Sequence, residues 1–307
     1  MWLNILQGTI EQGLVFGLLA MGVYLTFRII DFPDLTVEGS FPLGASVTAV
    51  LIINGANPFL ATFFAFIAGI LAGMITGIIN TKLRIAGLLA GILTMTSLYS
   101  INLRIMGRAN IPLLREKTIL TILKDWGLPE RYISLIAFAL IVLLVKLILD
   151  YFLYSEIGMA IRATGDSPVM IESLGVNTDN IKILGLGLAN GLTALSGALT
   201  CQYQGFADVG MGIGMIVIGL ASVIIGEVVI RTSKIIYATL GVVVGSIIYR
   251  LAIAVALQLG FAPTDLKVVT AVLVILALGA PSLRRFMIQD EFAERLMEGG
   301  ASDAETK

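Results

Sequence analysis

The chain lacks histidine altogether, has a single cysteine, Cys201, and carries only 13% charged residues over its 307 positions. Each scarcity excludes something. Without imidazole there is no ordinary general base, no histidine pH switch and no histidine metal ligand, so zinc hydrolysis and serine–histidine catalysis fall away. One cysteine cannot close an internal disulfide. With 20 Lys and Arg against 21 Asp and Glu, a net charge of −1 and a pI near 5.6, no basic surface is available for nucleic acid. Proline is held to 8 residues beside 33 glycines, a balance that suits close helix packing rather than disorder or a loop-rich secreted scaffold. No basic region precedes the opening Met1-Trp2-Leu3-Asn4-Ile5, which reads as mature sequence and not as a cleaved signal peptide.

What the chain does have is apolar mass: 57% hydrophobic residues and a mean hydropathy of +0.96 place it in a membrane. No charge falls between Gly39 and Thr81 or between Ile85 and Leu103, and Asp208 alone interrupts Ile183 to Gly226. A crossing needs about 20 apolar residues, which predicts spans at 9–27, 41–53, 60–79, 85–101, 133–149, 183–203, 211–229, 235–257 and 266–281. The expected fold is all-α and integral to the membrane, with about nine transmembrane helices (eight to ten). Segment 41–53 is short and bounded by Gly39-Ser40-Phe41-Pro42 and Asn54-Gly55-Ala56-Asn57-Pro58, so it reads as a full span or as a broken, re-entrant helix.

Basic residues orient the spans. Placing Arg28, Lys82, Arg84, Lys146, Arg162, Lys182, Arg231, Lys234, Arg284 and Arg285 on one face makes that face cytoplasmic, with the C-terminus inside and the N-terminus outside. The loop 102–132 then lies outside despite its charge. Its Arg108, Arg115, Glu116, Lys117, Asp125 and Glu130 form either a docking surface or a solvated cap. The tail 284–307 is charged and cytoplasmic, with Ile288, Phe292, Leu296 and Met297 at helical spacing, as in an amphipathic surface helix.

The chain also repeats. At an offset of 174, Gly13-Leu14, Gly17-Leu18, Ala20, Leu25-Thr26, Phe32 and Asp34 recur as Gly187-Leu188, Gly191-Leu192, Ala194, Leu199-Thr200, Phe206 and Asp208, nine identities over residues 13–34. Five spans separate the starts of the two copies, so the repeat is inverted: about 9–149, a polar loop 150–182, then about 183–283. Inverted repeats supply two near-equivalent packings that can become outward-open and inward-open states, which points to transport. The breaks after each first helix, Asp31 to Phe41 and Gly205 to Gly214, are expected at corresponding depths on opposite sides. Stripes at Gly69/Gly73/Gly77, Gly87/Gly91 and Gly241/Gly245 read first as close packing.

Loop 150–182 is too polar to cross. Gly158 through Ala163 form a short helix ended by Gly165, and Asp166-Ser167-Pro168 start the next, with Gly175 shaping a later turn. Two short helices at an angle make a knob for a groove on another protein. Gly158-Met159-Ala160-Ile161-Arg162-Ala163-Thr164-Gly165, then Pro168 and Gly175-Val176-Asn177, resemble the permease subunits of ATP-binding-cassette importers in the branched-chain amino acid and ribose family. Asp31-Phe32-Pro33-Asp34-Leu35-Thr36 looks like a divergent form of that family's first loop, similar to a subgroup associated with amino-acid-binding proteins. The resemblance runs from about Gly13 to Leu283, so 1–283 is read as one permease domain.

It implies that the loop is a coupling helix for a cytoplasmic ATPase, Arg162 facing that partner. It further implies two permease copies (a homodimer favoured), two ATPase subunits carrying ATP and magnesium, and an extracytoplasmic solute-binding protein at the 102–132 face. The chain itself binds no cofactor and has no Gly-x-x-x-x-Gly-Lys-Ser/Thr phosphate loop, so it is expected to be no enzyme. Direction of transport and an amino-acid solute rest on the resemblance alone.

Within the spans, Arg250 is the conspicuous charge, costing at least about 2.5–3.5 kcal/mol unless paired or hydrated. It faces a water-filled route or a subunit seam, with Asp208 or Asp265 as outer partners, or it snorkels to the interface. Asn190 and Gln202 offer polar lining or interhelical hydrogen bonds. Asp31, Asp34 and Glu38 gather near the membrane edge at the end of the first span. That cluster grounds an alternative, a gradient-driven secondary transporter or channel, and more weakly a magnesium-dependent intramembrane enzyme.

Overall fold

A computed structural model describes residues 2–124, 132–232, 234–261, 265, 268–272 and 275. Among these, seven helices are long and apolar enough to cross a membrane and an eighth, Val37–Ile53, is shorter. The expected ninth span, 266–281, is described only at 268–272 and 275, which are helical. Its remainder, the tail 284–307 and docking candidates Asp125 and Glu130 lie outside the described residues.

Helix α1 (Trp2–Tyr24) runs on through a π-helical turn, Leu25–Ile29. A non-helical stretch, 30–36, leads into α2 (Val37–Ile53). Helices α3 (Pro58–Thr81) and α4 (Gly87–Met106) follow. Asn57 starts α3 by accepting the Phe59 N–H at 2.9 Å, with Pro58 in the first turn where its missing donor costs nothing. A short strand β1 (Asn110–Pro112) and α5 (Ile119–Lys124) precede the spanning α6 (Ile133–Tyr154). Two short helices, α7 (Glu156–Asp166) and α8 (Pro168–Ser173), lead into the 27-residue α9 (Thr178–Gln204). Strand β2 (Phe206–Asp208) pairs antiparallel with β1, and a 3₁₀ turn (Val209–Gly212) precedes α10 (Met215–Val229) and α11 (Ile235–Gln258). One end of the bundle therefore carries α7 and α8, and the other carries the β1–β2 ribbon.

The repeat in sequence is a repeat in contacts. Ser196 donates to the Val15 carbonyl at 2.8 Å, while at Gly22, the counterpart of Ser196, a side chain would overlap the Ala189 carbonyl, the counterpart of Val15. The contacts 15 to 196 and 22 to 189 run in opposite senses, so α1 and α9 are antiparallel about a pseudo-two-fold axis. On the flanks, Gly13 packs on Ile247 of α11 and Gly187 on Met74 and Ile70 of α3. Small residues let these backbones approach, which is how helices associate where lipid leaves no hydrophobic gain between them.

The expected break from Asp31 to Phe41 is shorter than predicted. Only 30–36 is non-helical, because Pro42 sits inside α2 and the helix starts ahead of it. Phe32 packs on Gly87, Leu35 on Gly91 and Gly39 on Leu98, so the chain climbs along α4 from its first residue past its midpoint. The second stretch, 205–214, descends along α2 from the ribbon end, where Val209 joins Ala45 and Ala49, to Gly212, packed on the Glu38 carbonyl and Pro42. Proline lacks the N–H that would have bonded the Glu38 carbonyl, and the 3₁₀ turn seats on that uncovered spot. Both α2 and α10 thus begin inside the bundle. At 17 and 15 residues, about 25 and 22 Å, they run from there to opposite ends.

Candidate functional site

At the α7 end, Ser155 closes the turn out of α6: its hydroxyl donates to the Phe152 carbonyl at 2.6 Å and accepts the Gly158 N–H at 3.3 Å. Gly158 then packs directly on Phe152 and Leu153. Helix α7 extends to Asp166, so Gly165 lies within it and does not end it as expected. Its role is contact: a side chain at Gly165 would overlap the Ile29 carbonyl oxygen, the last residue of the π turn. Ile161, fully buried, packs beside Gly185, which itself meets Ile30. On the outward side Ala160, Arg162 and Ala163 are half-buried, Asp166 is exposed, and Ile157, Met159, Val169, Met170 and Leu174 are exposed apolar side chains on an otherwise polar loop. Pro168 starts α8 and Gly175 takes a left-handed turn at φ +84°. An apolar patch of this kind is one that a protein or membrane contact would cover.

From Ile29 the chain climbs to a buried polar node. Asp34, Thr36, Ser40, Thr76 and Asn190 are all fully buried. Asp34 accepts the Thr36 N–H at 2.9 Å and the Asn190 amide at 2.7 Å. Ser40 donates to Asn190 at 2.7 Å, and the Thr36 and Thr76 hydroxyls pair at 2.8 Å. Asn190 is the thirteenth of the 27 residues of α9, so the node lies near the middle of the bundle. This corrects the expected placement of Asp34 at the membrane edge. It also separates the acidic cluster: Asp31 is exposed, Asp34 is buried and Glu38 is half-buried, and no metal-holding group occurs among the described residues.

Glu38 joins the two re-entrant stretches. Its carboxylate accepts the Gly214 N–H at 3.0 Å, and among the described residues it has no cationic partner. Among the described residues no other helix covers the face it opens onto, where Asp31, Pro33, Ile213 and Val217 are exposed. Lower on that face Arg28 pairs with Glu227 at 2.8 Å, tying the π turn to the end of α10.

The other predicted lining residues fall elsewhere. Asn190 belongs to the buried node, and Gln202 is consumed in packing: it accepts the Ile119 N–H at 3.0 Å and donates to Thr62 at 2.8 Å. Asp208 is held by Asn110 at 3.2 Å and by the Gly210 N–H at 2.8 Å, so it does not serve Arg250. Arg250 instead stacks its guanidinium 3.9 Å over Phe16, whose ring meets Phe41, and its buried Nε has no hydrogen-bond partner among the described residues. Lys146 is no flanking anchor either: it is buried and ion-paired with Asp150, which also accepts the Thr239 hydroxyl at 2.7 Å. Sequence reading missed that pair, though its i,i+4 spacing within one span was the signal. It also missed Glu11, which gathers Gln7, Ser134 and Tyr203 at 2.9, 2.7 and 2.9 Å. Of the docking candidates, Arg108, Arg115 and Lys117 are exposed and Glu116 is half-buried, beside the ribbon.

Residues 5–278 match the family model described as branched-chain amino acid transport system / permease component. The tyrosine transport system permease protein of Clostridioides difficile is 45% identical over 272 residues, 89% of this chain and 90% of that one. The autoinducer 2 import system permease protein LsrC of Yersinia pseudotuberculosis is 28% identical over 228 residues, 73% of this chain and 63% of that one. Among solved structures, PsaBC from Streptococcus pneumoniae in complex with Fab aligns over 89% of each chain at 14% identity, with a TM-score of 0.49.

Proposed function

The chain belongs to the permease family of branched-chain amino acid transport systems, and from that premise we propose how its geometry serves transport. It is the multi-pass membrane subunit of an ATP-binding-cassette importer, ATP being hydrolysed on a separate subunit. The proposed assembly holds two copies of this chain, two ATPases with ATP and magnesium, and a binding protein on the ribbon face at Arg108, Arg115, Glu116 and Lys117. The α7 end and the C-terminus are cytoplasmic. The solute is an amino acid, and the 45% identical tyrosine permease makes an aromatic one the first to test.

The observation that carries the mechanism is the seat of Gly165 on the Ile29 carbonyl. An ATPase gripping the apolar patch of α7 and α8 pushes, through backbone and not through a flexible side chain, on the residue where α1 ends and the climb to Asp34 begins. A π turn at that spot is a weak point in the helix, suited to take up the displacement. The buried node carries the motion to Glu38 and Gly214, where the two re-entrant stretches meet. The uncovered face from Arg28 to Glu38 and Ile213 is then the solute route at the seam between copies, closed toward the α7 end by the Arg28–Glu227 pair. Gly158, Ala160, Arg162, Ala163, Asp166, Pro168 and Gly175 shape or present the knob.

Two substitutions separate grip from push. Arg162→Glu is expected to lose the ATPase on co-purification. Gly165→Val, which disturbs the Ile29 seat, is expected to keep the ATPase and its hydrolysis while amino-acid uptake into proteoliposomes falls at least about tenfold, near 1.4 kcal/mol of lost coupling. Wild-type uptake by a folded Gly165→Val complex would sink the mechanism. A chain that never recruits an ATPase would sink the assembly and favour a gradient-driven carrier.

A further inference from the structure

At the α7 end, the turn from α3 to α4 and the first turns of α9 enclose a concave pocket of about 500 Å³ lined by Asn80, Lys82, Arg84, Asp179 and Lys182 among others. Its polar walls are fixed from within. Asn80 donates across the turn to the Ile85 carbonyl at 2.8 Å, and Lys82 bridges the two walls by pairing with Asp179 at 3.2 Å. That leaves Arg84 and Lys182, which have no ion-pair partner among the described residues and both line the same hollow. Arg84 adopts φ +54°, a left-handed conformation that residues with a Cβ avoid and that glycine would take freely. An arginine held there against its backbone preference is an outlier that asks for a use of the side chain.

The surroundings name the ligand class. Leu83 is 65% exposed at the tip of the turn, with Ile78, Leu88 and Leu184 exposed beside it, so an apolar, lipid-facing belt adjoins the cationic hollow. A ligand matching both has a phosphate head and hydrocarbon tails. We propose that this pocket binds the headgroup of an anionic phospholipid, its phosphate between Arg84 and Lys182 and its acyl chains along Leu83 and Leu184. Basic pockets between helices on the cytoplasmic side of membrane proteins hold such headgroups. A lipid there would brace α3 against the start of α9, the helix that carries Asn190. The inference needs a membrane but not the coupling mechanism, and its readout is lipid retention, not uptake.

The test is intact-mass measurement of the full-length chain after exchange into mixed micelles holding either phosphatidylglycerol or phosphatidylcholine. One phosphatidylglycerol per chain should survive, and phosphatidylcholine should not. Arg84→Gln and Lys182→Gln should each weaken retention about fivefold, the worth of one basic contact at a membrane surface. Arg84→Gly should lose the lipid equally while melting no lower than wild type, because it relieves the backbone; Arg84→Lys should restore most retention. Equal retention of both lipids, or of phosphatidylglycerol by all variants, overturns the proposal. Displacement by inorganic phosphate alone makes the pocket a soluble-anion site and overturns the lipid assignment. Loss of the bound lipid when the partner ATPase joins gives the surface to that protein instead.

Discussion

The two re-entrant stretches begin as the same sequence and end as different structures. Asp34 and Asp208 each close the same local turn, accepting the N–H two residues on at 2.9 and 2.8 Å. Asp34 is nevertheless fully buried at mid-bundle, whereas Asp208 is only half-buried, at the ribbon. Two differences explain the divergence. The second stretch contains a 3₁₀ turn, Val209–Gly212, with no counterpart in the first, and this keeps Asp208 back from the start of α10. The repeat also places Phe16 where the other half has Asn190, so the second half offers an aromatic face in place of an amide. Arg250, not a carboxylate, settles on that face. A duplicated sequence thus supplies one closed polar node and one aromatic-faced counterpart that holds a cation.

The sharpest way to break this comparison is at the helix crossings. Gly44→Leu on α2 would drive a side chain into the Ala194 carbonyl, and no folded, monodisperse protein is expected on detergent chromatography, a cost above about 3 kcal/mol. At Gly219 on α10 the atoms nearest an added Cβ belong to the Val23 side chain and not to backbone, and about 1–3 kcal/mol is expected for Gly219→Leu. Next in size, Asp34→Ala leaves the Thr36 N–H and one of the two Asn190 amide hydrogens without an acceptor and should lower thermal stability by about 1–3 kcal/mol, whereas Asp208→Ala should cost less than about 0.5 kcal/mol. Equal losses would erase the distinction between the stretches. Smaller again, Glu38→Gln keeps an acceptor for Gly214 and should leave stability within about 0.5 kcal/mol, while Glu38→Ala should cost about 1 kcal/mol; uptake assays show whether the charge is needed beyond the hydrogen bond. Least of all, Arg250→Met removes a buried guanidinium with an unpaired Nε, so the melting point should hold or rise slightly. A large fall would show that its stacking on Phe16 organises the second half.

Much of this was legible in the chain. Long uncharged gaps fixed the spans because lipid punishes charge, and the offset of 174 survived as reciprocal contacts because helix crossings demand small residues at set positions. What escaped is equally physical. The seven-residue break from Ile30 to Thr36 carries no local sign of its depth; the partner that buries Asp34 lies 156 residues away. Gly165 looked like a helix end because a terminator and a close-contact glycine share one letter. Lys146 reads as an anchor on charge alone, and only its i,i+4 spacing to Asp150 points to the buried pair. Gln202 looked like lining because a buried amide and a solute-facing one are indistinguishable until neighbours are known.

The two half-length helices have one more consequence. Both α2 and α10 start at the centre, with Glu38 in the first turn of one and bonded to Gly214 at the head of the other. Each helix start carries about half a positive elementary charge, an influence that fades within one turn. Among the described residues the carboxylate therefore meets converging backbone dipoles and not a lysine or arginine. An ion pair in such a place would resist separation over long distances. A dipole clasp is firm when closed and releases after a shift of a few ångströms, about the distance one helix turn spans, so the middle of the molecule can open without first tearing a salt bridge apart.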